Sequence, residues 1–363
     1  MIDLRSDVLG PYEEETLAVL LAAAKDRPGF VRHEDPHQAR LERETAEAFG
    51  FEAALFVPTG TMANQIAIRV WCAPGEAIVT DPECHVAVNE ASSTAGVNSV
   101  ALRFVPGERG HLSPAAVKAA LLPKASSTSE RRIRLVWLEN THNRAGGTVM
   151  PVRWLPETAA ICAAAGASIH VDGARIWHAA VSSGCALSEI ARGASSLTVC
   201  LNKAIGAPIG ALLMGSAGFV DEAARVQKMF GGLWRPVGML AAAAHAAVSH
   251  QRSRIAISHE RARALASRLA SRLQGAASIP APETNIVMVG LASEEHVRRV
   301  LRGLTARGVR ASAYGRSRLR FVLHAGISST DVVTAAEQVA GEVEDALTQL
   351  GGGEHAWTLA TTS

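Results

Sequence analysis

Lysine is the scarcest charged residue of this chain: Lys25, Lys118, Lys124, Lys203 and Lys228 stand against 31 arginines in 363 residues. A solvated positive charge here is normally a guanidinium, so a lysine in an apolar setting asks for a chemical reason. Cysteine is sparse too. Cys72, Cys84, Cys162, Cys185 and Cys200 are odd in number, widely spaced and without a CxxC pair. That pattern argues against a disulfide framework and reads as small core residues in a reducing compartment. A net charge of +2 offers no electrostatic footing for nucleic acid or an anionic membrane. Apolar runs such as MLAAAAHAAV fall short of the roughly 20 residues a membrane span needs. The opening MIDLRSDVLG carries acidic residues where a signal peptide needs a basic and then an apolar stretch. A cytoplasmic protein without nucleic-acid or membrane partners is expected, and no internal repeat stands out.

What is present is enough apolar sequence, 48% of the residues, for a large core and a second, smaller one. EETLAVLLAAAKD reads as a short helix. EDPHQARLERETAEAFG reads as another, with Asp35 as N-cap, Pro36 in the first turn and Gly50 as C-cap. Apolar runs of strand length follow (EAIVT, VALRFV, RLVWLEN, ASIHVDG, LTVCLNK, GALLMGS), separated by helical stretches such as PAAVKAALL and PETAAICAAAG. Such alternation predicts a mostly parallel sheet with helices on both faces. Past about residue 250 the texture changes to an arginine-rich helix, TNIVMVGL, SEEHVRRVLRGLTARG, VRASAYG, RLRFVLH and a helix from Ser329 to Leu350. The expected organisation is a large domain over 1–250, with its N-terminal stretch near the site, a small α+β domain over 251–350, and a loose tail over 351–363.

Three features carry chemistry. ASIHVDGARIW delivers Asp172 at a strand end, where ligands of α/β sheets gather; alone it reads equally as a structural pair with Arg175. Thr59, Gly60 and Thr61 precede a helix whose free N–H groups suit a phosphate, although TGT is also plain capping. Lys203 follows a buried-looking strand and precedes Gly206, Pro208 and Gly210. A surface lysine would lay its stem on apolar surface, whereas a desolvated amine is a nucleophile toward an aldehyde. A phosphate nest, a carboxylate and an amine are the anchors that pyridoxal phosphate requires.

DLRSD, EDP, EAALFVPTGTMANQ, ENTHN, AGGTV, HVDGARIW and CLNKAIGAPIG together resemble low-specificity threonine aldolases, in the β-eliminating lyase group of fold-type I (aspartate aminotransferase-like) pyridoxal phosphate enzymes. The resemblance runs from residue 2 to at least Pro236. It implies a large domain with a mostly parallel seven-stranded sheet, a small α+β C-terminal domain, and a homodimer or homotetramer with active sites at the dimer interface. It implies that Lys203 carries pyridoxal phosphate covalently, that Asp172 pairs with the pyridine nitrogen, and that Gly60 and Thr61 hold the phosphate. His85 matches the histidine stacked on the ring, and His142 one near the substrate hydroxyl. Arg175 and Arg320 match a clamp on the substrate carboxylate, joined by Ser6; Arg235 matches a contact in the phosphate region. In RLRFVLH, alternation sets Leu319, Phe321 and Leu323 on one face and leaves Arg320 on the other.

The implied reaction is cleavage or formation of the Cα–Cβ bond of a β-hydroxy amino acid, giving glycine and an aldehyde, with a water held by His85 and His142 as base. β-Elimination, racemisation and glycine-dependent condensation use the same anchors, and a non-catalytic protein on this fold is the remote alternative. The chain departs from the family pattern at Val8, Leu9 and Gly10 after DLRSD, and at Glu90, Ala91, Ser92 and Ser93 after His85. Arg32 and His33 stand where the family has Tyr-Gly. These changes read either as loop drift or as an altered substrate, Arg32 then adding charge for an acidic or bulky polar side chain.

Overall fold

The computed structural model describes residues 1–27, 29–122 and 132–350; Lys124 and the expected tail at 351–363 lie outside them. The chain forms two compact units, one from Tyr12 to Arg252 and one that joins Met1–Pro11 to the stretch from Ser253 onward. The first residues, expected with the large domain, thus cluster with the small one. The cause is backbone pairing: β1 (Ile2–Asp3) lies parallel to a strand near residue 309.

The larger unit carries β2 (Ala53–Val57), β3 (Ala77–Thr80), β4 (Ala101–Phe104), β5 (Ile133–Glu139), β6 (Ser168–Asp172), β7 (Ser196–Cys200) and β8 (Ala211–Gly215). They form a seven-stranded sheet of order β2-β8-β7-β6-β5-β3-β4. β8 runs antiparallel to both neighbours, and the other pairings are parallel. β3 and β5 to β8 are buried along most of their length, as strands covered on both faces must be. β2 is not among the strands read from the sequence, where AALFV runs straight into PTG.

Local chemistry sets the helix ends. Asp35 caps Pro36–Phe49 by accepting N–H bonds from His37 and Gln38, and Gly50 closes it at φ 78°. Leu41, Ala46 and Phe49 from its inner face are buried, and Phe49 meets Trp177 edge-on at 4.9 Å.

In the smaller unit β9 (Ile286–Gly290), β10 (Val309–Arg310), β11 (Ser312–Ala313) and β12 (Arg318–Val322) follow. β12 pairs antiparallel with β9 and β11, and β10 takes β1. Leu319, Phe321 and Leu323 are fully buried with Val287, Val289 and the helix Ser329–Leu350. None of the described helices is long and apolar enough to cross a membrane.

Candidate active site

The parallel strands bring their carboxyl ends to one edge, and most of the candidate residues sit there. Asp172 ends β6 and is 2% exposed. Its Oδ1 accepts the Ala174 N–H at 3.1 Å and its Oδ2 accepts from Asn64 Nδ2 at 2.9 Å. A buried carboxylate needs such donors. Asn64 also donates to Glu90 Oε1 at 3.0 Å, and Gln65 donates to Glu90 Oε2 at 2.8 Å. Glu90 Oε1 in turn meets His85 Nδ1 at 2.7 Å. One ligand atom each of His85, Glu90 and Asp172 falls within 4.8 Å of the others.

His85 opens a short helix, His85–Val88, after β3, and its N–H donates to Glu139 Oε2 at 2.5 Å. Burial works against a charge on its imidazole. The Glu90 hydrogen bond and the fields of Asp172, Glu90 and Glu139 outweigh that and hold its pKa above the ordinary histidine value. Its Nε2 takes no partner among the described residues.

Lys203 stands in the turn after β7 and is half-buried, rather than enclosed as its apolar flanks suggested. It acts on the thiol of Cys200 by charge and hydrogen bond, while burial pushes that thiol up. Cys200 ties the lysine to the expected phosphate nest: a Cβ built on Gly60 would lie 2.7 Å from its Sγ. Gly60 begins the helix Gly60–Trp71, with Thr59 as N-cap. The Thr59 hydroxyl accepts from Met62 N–H, and its carbonyl accepts from Ala63 N–H. The Gly60 and Thr61 amides have no acceptor among the described residues. The glycines after Lys203 serve the backbone: Gly206 and Gly210 have φ of 82° and 105°, and Gly210 packs against the Phe56 ring.

Arg175, 6% exposed, donates from Nη1 to Asn143 Oδ1 at 3.2 Å. His142 lies in the turn after β5 and is fully buried, its Nδ1 accepting the Ala145 N–H at 3.1 Å. It is enclosed by protein groups, and Glu139, which accepts the His85 N–H, also accepts the Asn143 N–H beside it at 2.8 Å.

Arg235 and Arg32 belong to another place, a cavity also lined by Phe30, Pro58, Gly232 and Trp234. Arg235 lies over the Phe30 ring at 4.8 Å, and Pro58 joins the cavity to the Thr59–Gly60 turn. Arg32 is engaged by the fold: it donates to Ala54 O at 2.7 Å and Glu42 Oε2 at 3.2 Å, with Asp221 at 3.9 Å. In the smaller unit, Arg320 donates to the Arg5 carbonyl at 3.1 Å and lies over the Tyr314 ring at 4.3 Å. That puts it beside Ser6, whose hydroxyl accepts the Val8 N–H.

Sequence reasoning missed Asn64, Gln65, Glu139, Asn143 and Asp81. The available signal was polarity out of place: Asn64–Gln65 interrupts an otherwise apolar helix face, and Glu139–Asn140 ends an apolar strand.

A family model described as beta-eliminating lyase matches residues 3–294. Low-specificity L-threonine aldolase 1 of Arabidopsis thaliana is 33% identical over 336 residues, covering 91% of this chain and 93% of that protein. The low specificity L-threonine aldolase of Escherichia coli K12 is 33% identical over 336 residues, covering 93% and 97%. Among solved structures, Leishmania major threonine aldolase superposes with a TM-score of 0.75 at 18% identity, over 96% of this chain and 100% of that one. Serine palmitoyltransferase of Sphingomonas wittichii gives 0.72 at 17% identity, over 96% and 88%. At that identity the two structures speak to the fold.

Proposed function

For a chain that belongs to the beta-eliminating lyase family, we propose a pyridoxal phosphate-dependent aldolase that cleaves β-hydroxy-α-amino acids to glycine and an aldehyde, as the names of its relatives suggest. Its fold is the fold-type I architecture. The observation that carries the reading is the meeting of Lys203, Asp172 and the Gly60–Thr61 amides at the carboxyl ends of β7, β6 and β2.

These residues fit the cofactor. Among the described residues, two amides at a helix N-terminus lack acceptors, beside a glycine whose missing side chain leaves room next to Cys200. Asp172 keeps lone pairs for a ring N–H after accepting from Asn64 and Ala174. Pyridoxal phosphate, when bound, supplies an aldehyde for the substrate amine and a ring that accepts the electrons of the broken Cα–Cβ bond.

The chain's own residues do the rest. Lys203 anchors the cofactor and moves the proton at Cα. Arg175 holds the substrate carboxylate, which fixes the Cα bond that breaks, and Ser6 and Arg320 keep the carboxylate-binding role that the resemblance implies for them. His85, with Nδ1 held by Glu90, takes the β-hydroxyl proton at Nε2 through a water. His142 is enclosed, and its part is indirect. Arg32 already has Glu42 beside it, which favours threonine-like side chains over acidic ones. Arg235 serves the phosphate region from the cavity next to Pro58.

We place the enzyme in the cytoplasm, with its free cysteines as support. A homodimer or homotetramer is part of the proposal, supported by the exposure of Phe30, Met229 and Trp234 and read by light scattering. The activity is tested with purified protein on threonine, phenylserine and an acidic β-hydroxy amino acid. Glycine with the matching aldehyde is expected, fastest from the first two; a keto acid with ammonia would overturn the reading.

A further inference from the structure

His142 is among the most tightly enclosed polar side chains of the larger unit. Its ring is pressed by Gly110, where an added Cβ would strike it, and is met edge-on by His111 at 5.9 Å. Nδ1 accepts the Ala145 N–H at 3.1 Å, so the neutral ring carries its proton on Nε2. That nitrogen is 3.6 Å from Asp81 Oδ1 and has no hydrogen-bond partner among the described residues.

Asp81, 4% exposed, follows β3. Two loops hold its carboxylate: Glu83 N–H donates to Oδ1 at 2.8 Å and Gly107 N–H to Oδ2 at 2.7 Å. Burial alone would raise its pKa, but His142 and these two amides hold it below the usual carboxylate value. A buried anion of this kind needs a cation.

The other charged or titratable groups facing His142 are Glu139 at the end of β5, Glu83 and Cys84 from the loop after β3, and His111 from the loop after β4, on which Arg109 acts in turn. Arg144, next in its own turn, is paired with Glu83. His111 is kept neutral by burial and by His142, with a pKa of about 3. Burial opposes a charge on His142, yet Glu139, Asp81 and Glu83 outweigh it.

A protonated His142 cannot keep the Ala145 bond, because both ring nitrogens then donate. Ala145 belongs to a tight turn in which Gly147 N–H donates to His142 O, Gly146 N–H to Asn143 O and His142 N–H to Thr148 O. The same turn presents Asn143 to Arg175.

We propose that Asp81 and His142 form a buried positioning pair whose proton sets the 142–148 turn, and through Asn143 the guanidinium of Arg175. In the neutral state the turn is latched by Ala145. In the charged state Nε2–H closes on Asp81 and the latch opens, loosening the hold on a substrate carboxylate. This rests on the role assigned above to Arg175.

The test uses the cofactor-loaded protein labelled with 15N-histidine, His142 being assigned by the signal lost in His142→Gln. The expected resting tautomer carries its proton on Nε2. In Asp81→Asn the titration midpoint of His142 falls by one unit or more, a tenfold or greater loss of proton affinity. The pH dependence of KM for the amino acid moves with that midpoint, and Asp81→Glu restores it. A resting proton on Nδ1, or a folded Asp81→Asn with the wild-type midpoint, would overturn the pair. Should Asp81→Asn not fold, the wild-type tautomer still decides. The nuclear resonance arm needs no turnover, so failure of the aldolase reading shows separately, as absent aldehyde.

Discussion

At the carboxyl edge of the large sheet, Glu90, Asp172 and Glu139 are each at most 5% exposed, and donors lie within hydrogen-bond reach of each. Around the Arg32–Arg235 cavity the arrangement is reversed. Phe30 is 70% exposed, Trp234 stands partly in solvent, and Arg235 rests on a ring face. The first region is satisfied by its own side chains and has little freedom to vary. The second has apolar surface left uncovered by the described residues, and the departure Arg32 falls there. The proposed chemistry falls in the closed region, and the proposed room for change in the open one.

The sharpest break of that contrast is Lys203→Ala, which is expected to abolish both aldehyde release and the label left at position 203 by borohydride reduction. Asp172→Asn removes the charge proposed for the pyridine nitrogen and should lower kcat by about 10²–10³-fold, read by steady-state kinetics. In the open region Arg32→Ala strips the cation from Glu42, which is 3% exposed. It should cost about 3 kcal/mol of stability by urea denaturation while leaving the ratio of rates on threonine and acidic substrates near wild type. A large change in that ratio would show that Arg32 reads the side chain.

Glu90→Gln sharpens the comparison by a smaller step. As the proposed base, His85 must be neutral to accept a proton, so activity should rise with pH through its raised pKa. Removing the carboxylate that raises it should move that limb about one unit lower, visible in a kcat profile. The smallest effect is expected at His33, whose φ of 76° lies where glycine is at ease. His33→Gly should raise stability by about 1 kcal/mol, with no change in rate.

The elements were largely legible because their ends are chemical. Asp35, Pro36 and Gly50 marked one helix, and Ser329–Leu350 was bounded as found. Lys203, Asp172 and Gly60 could be singled out because Asp172 closes a strand, Gly60 opens a helix and Lys203 stands in the turn after β7. Glu90 and Asn64 could not, since their partners lie far away in sequence: the Asn64–Asp172 bond spans 108 residues. The pairing of Asp81 with His142 had no periodicity to announce it. Arg32 was legible as a charge but not as a pair, because Glu42 occupies the inner face of a helix whose depth only packing reveals.

The pairing of Ile2 with Val309 has a consequence for the order in which the protein is made. β1 must wait until the chain has been made as far as Val309 before its neighbour exists. Residues 12–252 meet no such delay and can collapse while synthesis continues. A fusion placed ahead of Met1 would therefore burden the late-forming C-terminal body rather than the body that follows it in sequence.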